Sequence, residues 1–492
     1  LARARTGEEE PAPEALREAL RVVVAHCLYG VDKNPLAVEL CKVALWIEAH
    51  VPGQPLTFLD HHVRCGDSLV GVFDLEVLVA GIPDDAYERE DRGERQNAQP
   101  LRARNRKERT QRAIGLDDVD PEESLLELGV MFEELALRPD RDVVQVHALA
   151  ADYERLRADP RYQRLRRACD LWTAAFFADL RQPGLAPTTA DVHRALAGRP
   201  LDDPQRGPSA EGLAAELRFF HWPLEFPDVF AGGGFDVVLG NPPFMGGLRI
   251  SGTLGQRYRR WLESAFEPFG GTADLCAAFF RRAFALLRHG GRLGMVATNT
   301  IGQGDTRESG LAVILRAGGT ITFARRFLRW PGTANVEVNL ISMQKWDAST
   351  VAGHERPVLD GAPVPFISSR LDSDPEAEPR RLPQNSGKAF QGDIVRGIGF
   401  VLDPDEAERL LAADPRNAEC LFPYLNGEDL NSDPEQRPSR YVICFHDWDL
   451  ARARQYPDLL RIVEERVKPE RERLRGPGDR RSREYWWQFG AY

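Results

Sequence analysis

The stretch that most constrains this chain is Phe235-Asp236-Val237-Val238-Leu239-Gly240, followed at once by Asn241-Pro242-Pro243-Phe244. The apolar run reads as a buried parallel strand. Ending in a polar side chain, two prolines and a ring, it delivers those groups to the carboxyl edge of a sheet. In open α/β sheets that edge is where ligands bind. Each proline fixes φ and lacks an N–H, so the loop is stiff and its carbonyls stay out of any helix. The Asn241 side-chain oxygen and a neighbouring backbone carbonyl then stand as two fixed acceptors, with Phe244 offering a flat face. Two acceptors beside a ring suit an exocyclic amine on a planar heterocycle. The same residues also suit an ordinary strand-to-loop turn.

Two upstream stretches have the same character. Leu28-Tyr29-Gly30-Val31-Asp32 reads as a strand tip ending in an acid. Asn34 then caps a helix that Pro35 opens, with Leu36, Leu40, Val43 and Ile47 at helical spacing. An acid in that position holds ribose hydroxyls in nucleotide-binding folds, or simply starts the turn. His61-His62-Val63-Arg64-Cys65-Gly66-Asp67-Ser68-Leu69 is a second strand-and-turn unit. Its paired histidines read as strand residues, since no third ligand sits at a metal-binding spacing.

In this order the three stretches resemble the S-adenosyl-L-methionine-dependent amino-methyltransferases, above all the N6-adenine DNA enzymes. The resemblance implies a Rossmann-like α/β sheet. Asn241, Pro242, Pro243 and Phe244 would form the catalytic loop, and Asp32, Asp67, Ser68 and Leu69 the cofactor site, with Asp67 on the cofactor's adenine amine. The Asn241 oxygen and the Pro242 carbonyl would accept both hydrogens of the N6 amine of an adenine flipped out of double-stranded DNA. Trp330, beside Pro331, matches the position where related enzymes place a second ring against the flipped base; a rim or core aromatic is the other reading.

The chain between these stretches is long. From about Asp84 to Gly129 it is highly charged, including Arg102-Ala103-Arg104-Asn105-Arg106-Lys107. Amphipathic helices are then expected, with Leu171, Trp172, Phe176 and Phe177 in a core. We read 81–210 as a helical insertion, either a DNA-facing arm or a solvated spacer. Downstream, an amphipathic helix through Leu275, Phe279, Arg282 and Leu286 is expected to end at Gly290-Gly291. A strand should follow from Gly294, then two strands, Thr320 to Phe327 and Val336 to Met343, paired as an antiparallel hairpin at the sheet's edge.

From Pro357 the composition shifts to Pro, Asp and Arg, the mark of a linker. The region beyond it resembles the part of MmeI-like type IIL restriction–modification enzymes and DISARM-type defence methylases that leads into target recognition. Residues 1–80 and 211–350 would be the two halves of the methyltransferase domain, and 351–492 the linker and the start of an α+β recognition region. Arg471, Arg473, Arg475, Arg480, Arg481 and Arg483, beside Tyr485, Trp486 and Trp487, would hold phosphates next to stacking rings. A helix packed on a Trp-rich core is the alternative.

Composition bounds the rest. The 492 residues leave room for roughly two to four domains. No stretch approaches the roughly 20 apolar residues of a membrane span, and no signal-like apolar segment opens the chain. Cys27, Cys41, Cys65, Cys169, Cys276, Cys420 and Cys444 are scattered without a C-x-x-C pair. That favours reduced thiols in a cytoplasm and no metal site. The net charge of −11 does not advertise nucleic-acid binding, so any DNA contact must come from local basic patches.

The chain departs from the resemblance in one respect. These enzymes carry an Asp-Pro-x-Cys-Gly-x-Gly loop on a first strand upstream of the acid matching Asp32, and none is present. In the family that strand lies centrally, between the strands ending at Asp32 and Asn241. The expectation is therefore a sheet lacking its first strand, a natural protein longer at both ends, and an inactive chain as it stands. Protein-glutamine and guanine-N2 RNA methyltransferases share the Asn-Pro-Pro-aromatic loop, and a non-catalytic DNA-binding remnant is a further reading. Other subunits of a restriction or defence system are the remaining expected partners.

Overall fold

Phe235–Gly240 does form a strand, β3, and the elements around it were obtained as a computed structural model. The structure describes residues 1–89, 91–110, 120–330, 337–346, 356–375, 382–385, 387–388, 392–474 and 479–490. The chain is mixed α/β and divides into two units, Leu1–Ala377 and Glu378–Tyr492.

In the first unit β1 (Gly30–Asp32) pairs in parallel with β2 (Val63–Cys65). A separate six-stranded sheet runs β3, β4 (Leu287–Thr298), β6 (Glu337–Lys345), β5 (Gly319–Arg329), β7 (Val358–Leu359), β8 (Ala362–Pro363). β3 and β4 are parallel, while β6 runs antiparallel to both β4 and β5. The expected hairpin of β5 and β6 is present. It is not at the edge, because β7 and β8 extend the sheet beyond β5. The linker expected from Pro357 is thus part of the sheet: two short apolar positions, Val358 and Leu359, pair with Phe323 and Ala324.

Two further expectations need correction. The helix of Leu275–Leu286 stops before the glycines, and β4 starts at Leu287, with Gly290 at φ 80° inside the strand. Leu287 and Leu293 are buried on opposite ends of that turn, which draws the chain into the sheet early. The 81–210 region is helical and is not a solvated spacer. Leu125, Leu128, Phe132, Tyr162, Leu165, Phe176 and Phe177 share one core with Leu69–Ile82 and with Trp261 and Leu262. Burying that many large side chains, at about 1.5–3 kcal/mol each, fixes the insertion against the sheet-bearing part.

β3 was expected to be buried, yet Val237 and Leu239 are 57% and 78% exposed. Among the described residues β3 pairs only with β4, and β1 only with β2. The apolar side of the helix Pro35–Glu48 is open in the same way, with Leu36 and Leu40 70% and 68% exposed. Their spacing is that of a packed face, but in this chain only Val38 of that helix is buried.

The second unit holds a three-stranded antiparallel sheet in the order β10 (Leu421–Tyr424), β11 (Arg440–Ile443), β9 (Val401–Leu402). The helix Pro457–Arg466 packs on it through Leu459 and Val463 around Phe400 and Phe445. Among the described residues no helix is long and apolar enough to cross a membrane.

Candidate functional site

The tips of β1, β2 and β3 open into one cavity of about 640 Å³. Asp32, Lys33, Asp67 and Ser68 line one side; Asn241, Pro242 and Pro243 line the other. Sequence positions far apart are thus brought together, as the order of the stretches implied.

Aromatic packing holds the two sides in register. Tyr29, just before β1, meets Phe226 and Phe235 edge-on with ring centroids 5.1 and 5.5 Å away. Its hydroxyl donates to Asp228 Oδ2 at 2.7 Å. Phe219–Phe226 forms a strap across the base. The Trp222 indole donates to the Ser68 carbonyl at 2.9 Å, and the Val72 amide donates to His221 Nδ1 at 3.0 Å. The strap lies so close that a side chain at Gly66 would run into the Phe220 ring, and one at Gly71 into the Phe220 carbonyl. Gly71 also sits at φ 146°, a conformation other residues rarely adopt.

On the β1–β2 side, Asp32 Oδ1 accepts the Asn34 N–H at 2.6 Å, and Asn34 Oδ1 caps the next helix through Leu36 at 3.0 Å. Asp32 therefore does start the turn, and its second oxygen has no partner among the described residues. Asp67 is buried. It accepts from Lys33 Nζ at 2.8 Å, from the Leu69 amide at 3.1 Å and from the Tyr258 hydroxyl at 3.1 Å on both oxygens. Burial and that carboxylate push the Tyr258 phenol up, so it remains a donor across the physiological range. Ser68 lines the cavity. Leu69 does not; it is fully buried in the core, and its carbonyl accepts from Trp261 Nε1 at 2.7 Å.

On the β3 side, Asn241 is exposed and Pro242 buried. Neither the Asn241 amide nor the Pro242 carbonyl has a hydrogen-bond partner among the described residues. Phe244 is half-buried and, like the half-buried Trp330 after β5, is not among the residues lining the cavity. Pro331, its sequence neighbour, lies outside the described residues.

Sequence reasoning missed Lys33, Tyr258 and the cavity role of Arg282. Lys33 follows the singled-out Asp32 directly, and Arg282 is a cation on an apolar helix face; Tyr258 carries no local signal. Arg282 lines the cavity and is 93% buried, at 7% exposure. Its guanidinium has no ion pair among the described residues and its Nε no hydrogen bond.

The expected DNA-binding arginines are dispersed. Arg471 is buried and donates to the carbonyls of Tyr485, Trp486, Gln488, Val395 and Arg396 at 2.5–3.3 Å. It is a structural tie, because five convergent carbonyls leave it nothing to offer a phosphate. Arg483 donates to the Leu474 carbonyl at 2.8 Å, and Arg480 lies 3.7 Å from Glu484. Arg473 and Arg481 are exposed, and Arg475 lies outside the described residues. Trp487 is buried with its indole on the Trp448 carbonyl at 2.8 Å, so that ring belongs to the Trp-rich core.

Among the described residues no group of three or more His, Cys, Asp or Glu is placed to hold a metal ion.

A solved structure of the type IIL restriction-modification enzyme MmeI in complex with DNA is 19% identical, covering 75% of this chain and 55% of that one at a TM-score of 0.43. A putative type II restriction enzyme and methyltransferase of Methanocaldococcus jannaschii, RM.MjaORFECS2P, is 24% identical over 307 residues. That alignment takes in 57% of this chain and 22% of the relative, so the chain spans well under a third of the curated protein it matches. The family model described as Eco57I restriction-modification methylase matches residues 26–311, a span that contains Asp32, Asp67 and Asn241. The chain belongs to the Eco57I restriction-modification methylase family.

Proposed function

We propose that this chain carries the base-accepting side of a methyltransferase acting on the N6 amine of an adenine flipped out of double-stranded DNA, in a restriction-modification or defence system. The observation that carries this reading is the pair of uncommitted acceptors, the Asn241 side-chain oxygen and the Pro242 carbonyl, at the stiff tip of β3 in the same cavity as Asp32 and Asp67. Two acceptors on one amine would draw it towards a tetrahedral shape and free its lone pair from the ring for attack. Orientation and electrostatics suffice, and no covalent enzyme intermediate is required. Flipping the base costs a few kcal/mol; Phe244 and Trp330 remain the proposed stacking rings.

The lining fits part of S-adenosyl-L-methionine, which when bound would supply an electrophilic methyl group. The free Asp32 oxygen suits a ribose hydroxyl. Asp67, held by Lys33, the Leu69 amide and Tyr258, keeps one acceptor site of its carboxylate for an adenine amine. The apolar walls from Trp222, Phe226 and Phe235 suit a purine. No glycine-rich strand tip among the described residues is placed for the amino-acid end. The unpaired edges of β1 and β3, facing the same cavity, support the expectation that a strand bearing such a loop completes the sheet there.

The test is transfer of a labelled methyl group to duplex DNA, with the modified base identified by mass. N6-methyladenine supports the proposal. Label on RNA guanine or on a protein glutamine would replace it by one of the related activities. DNA binding without transfer, in a chain whose sheet has been completed, would leave a binding module.

A further inference from the structure

A second cavity, about 630 Å³, lies on the helical side of the first unit and shares only the strap with the first. Four arginines line it: Arg164, Arg166 and Arg167 from the helix Pro160–Phe177, and Arg199 after the helix Thr189–Leu196. Its floor is His221, whose Nε2 lies 3.0 Å from Asp170 Oδ1. Since Nδ1 accepts from the Val72 amide, Nε2 carries the proton and donates to Asp170.

The charges here do not cancel. Asp170 is taken by His221 and by Arg166, whose Nε lies 3.8 Å away. Glu225, also on the wall, is engaged by Arg64 at 2.8 Å and Arg157 at 3.3 Å. Only Glu211, which is exposed, is left. Arg164, Arg167 and Arg199 have no ion pair or side-chain hydrogen bond among the described residues. Arg167 Nε is buried from solvent without a partner. The backbone is cut away to seat these side chains: a Cβ at Gly207 would lie 2.9 Å from Arg167 Nη2, and one at Gly198 3.1 Å from Arg164 Cδ. Guanidiniums on an open helix face shed their repulsion into water. Crowded on the wall of one concave site, they raise the potential there and draw in an anion.

We propose that this cleft binds a phosphate group. Guanidinium forks match phosphate oxygens bidentately, and three uncommitted forks around one concavity can take three oxygens. The volume falls in the range of small-molecule sites, roughly 300–1,000 Å³, so the phosphate is carried on a larger body. A duplex backbone and a free nucleotide both present that chemistry.

The experiment uses the full chain and three variants: Arg164→Gln with Arg199→Gln, Arg167→Gln alone, and Arg3→Gln with Arg5→Gln, both exposed, as a control for general charge. Titration calorimetry is run with inorganic phosphate, ATP and a mixed-sequence duplex, the last also across salt. If the source is DNA, the Arg164/Arg199 pair loses about tenfold in duplex affinity and its salt slope falls by about two. If it is a nucleotide, ATP binding falls about tenfold and duplex binding is unchanged. In either case the control pair moves less than twofold, and Arg167→Gln follows the first pair. Equal losses in the control pair, or no ligand whose binding depends on Arg164, Arg167 or Arg199, overturns the proposal. Circular dichroism confirms that each variant is folded; a misfolded Arg167→Gln leaves the exposed Arg164/Arg199 pair to decide.

Discussion

The guanidinium of Arg282 lies 4.5 Å from the ring centroid of Phe73, and Phe266 covers it at 5.1 Å. Burial, aided by the neighbouring Arg281, pulls its pKa down to about 10, so the charge persists at neutral pH. A buried cation without an ion pair among the described residues costs several kcal/mol; the Asp67 carboxylate compensates it in part, and the two rings offset roughly 2 kcal/mol. Arg282→Met keeps the volume and removes the charge. We expect the ligand-free chain to gain at least about 1 kcal/mol, read as a higher urea midpoint at unchanged slope. A loss of stability would mean that the charge is fully compensated in the folded chain.

Arg471 gives the opposite sign. Its five carbonyl partners come from 395–396 and 485–488, so it ties both ends of the second unit together. Arg471→Met removes the guanidinium from those carbonyls, of which its contacts with Gln488 and Val395 are the buried ones, and hydrogen bonds to charged groups are worth about 1.5–3 kcal/mol each. A loss of about 3 kcal/mol is expected in the transition reported by near-ultraviolet dichroism of Trp448 and Trp487. Arg481→Gln, on the exposed side, should stay within about 0.5 kcal/mol.

These two arginines show where the sequence could be read and where it could not. Asn34 with Pro35, and the polar tips at Asp32, Asp67 and Asn241, are local signals, and the structure places all three tips on one cavity. Arg471 looked like one of six clustered cations. What separates it from Arg481 is a contact with residues about 75 positions away, which spacing cannot report. Val237 and Leu239 fail for a related reason: their pattern describes a strand flanked on both sides, and among the described residues β3 has one neighbour. The helical insertion was legible as helix, but its place in the core depends on pairings such as Phe176 with Trp261, centroids 5.0 Å apart.

For the site itself, in a chain whose sheet has been completed, Asn241→Ala should lower methyl transfer by at least about 10²-fold, the usual cost of one preorganised polar group. DNA affinity should change less than about threefold, because phosphate contacts dominate it. Asn241 is exposed and makes no hydrogen bond among the described residues, so the melting temperature should not move. A variant that keeps most of its activity would remove Asn241 from the mechanism.

The last prediction concerns His61 and His62, whose rings lie 3.9 Å apart, with Tyr29 against His62 at 4.0 Å. Neither nitrogen of His62 has a partner among the described residues. Burial, with repulsion from neighbouring histidines, pulls the pair down to about 4 for His61 and about 2 for His62. An unfolded histidine titrates near 6.5. Between that value and the folded ones the unfolded chain binds more protons, so stability is full above about pH 6.5 and falls as pH is lowered. Each histidine contributes a slope of up to about 1.4 kcal/mol per pH unit. Chemical denaturation between about pH 4.5 and 6 should show it, and His62→Leu should flatten the dependence by that amount. An unchanged slope in that variant would mean that His62 is already protonated, or already exposed, in the folded chain.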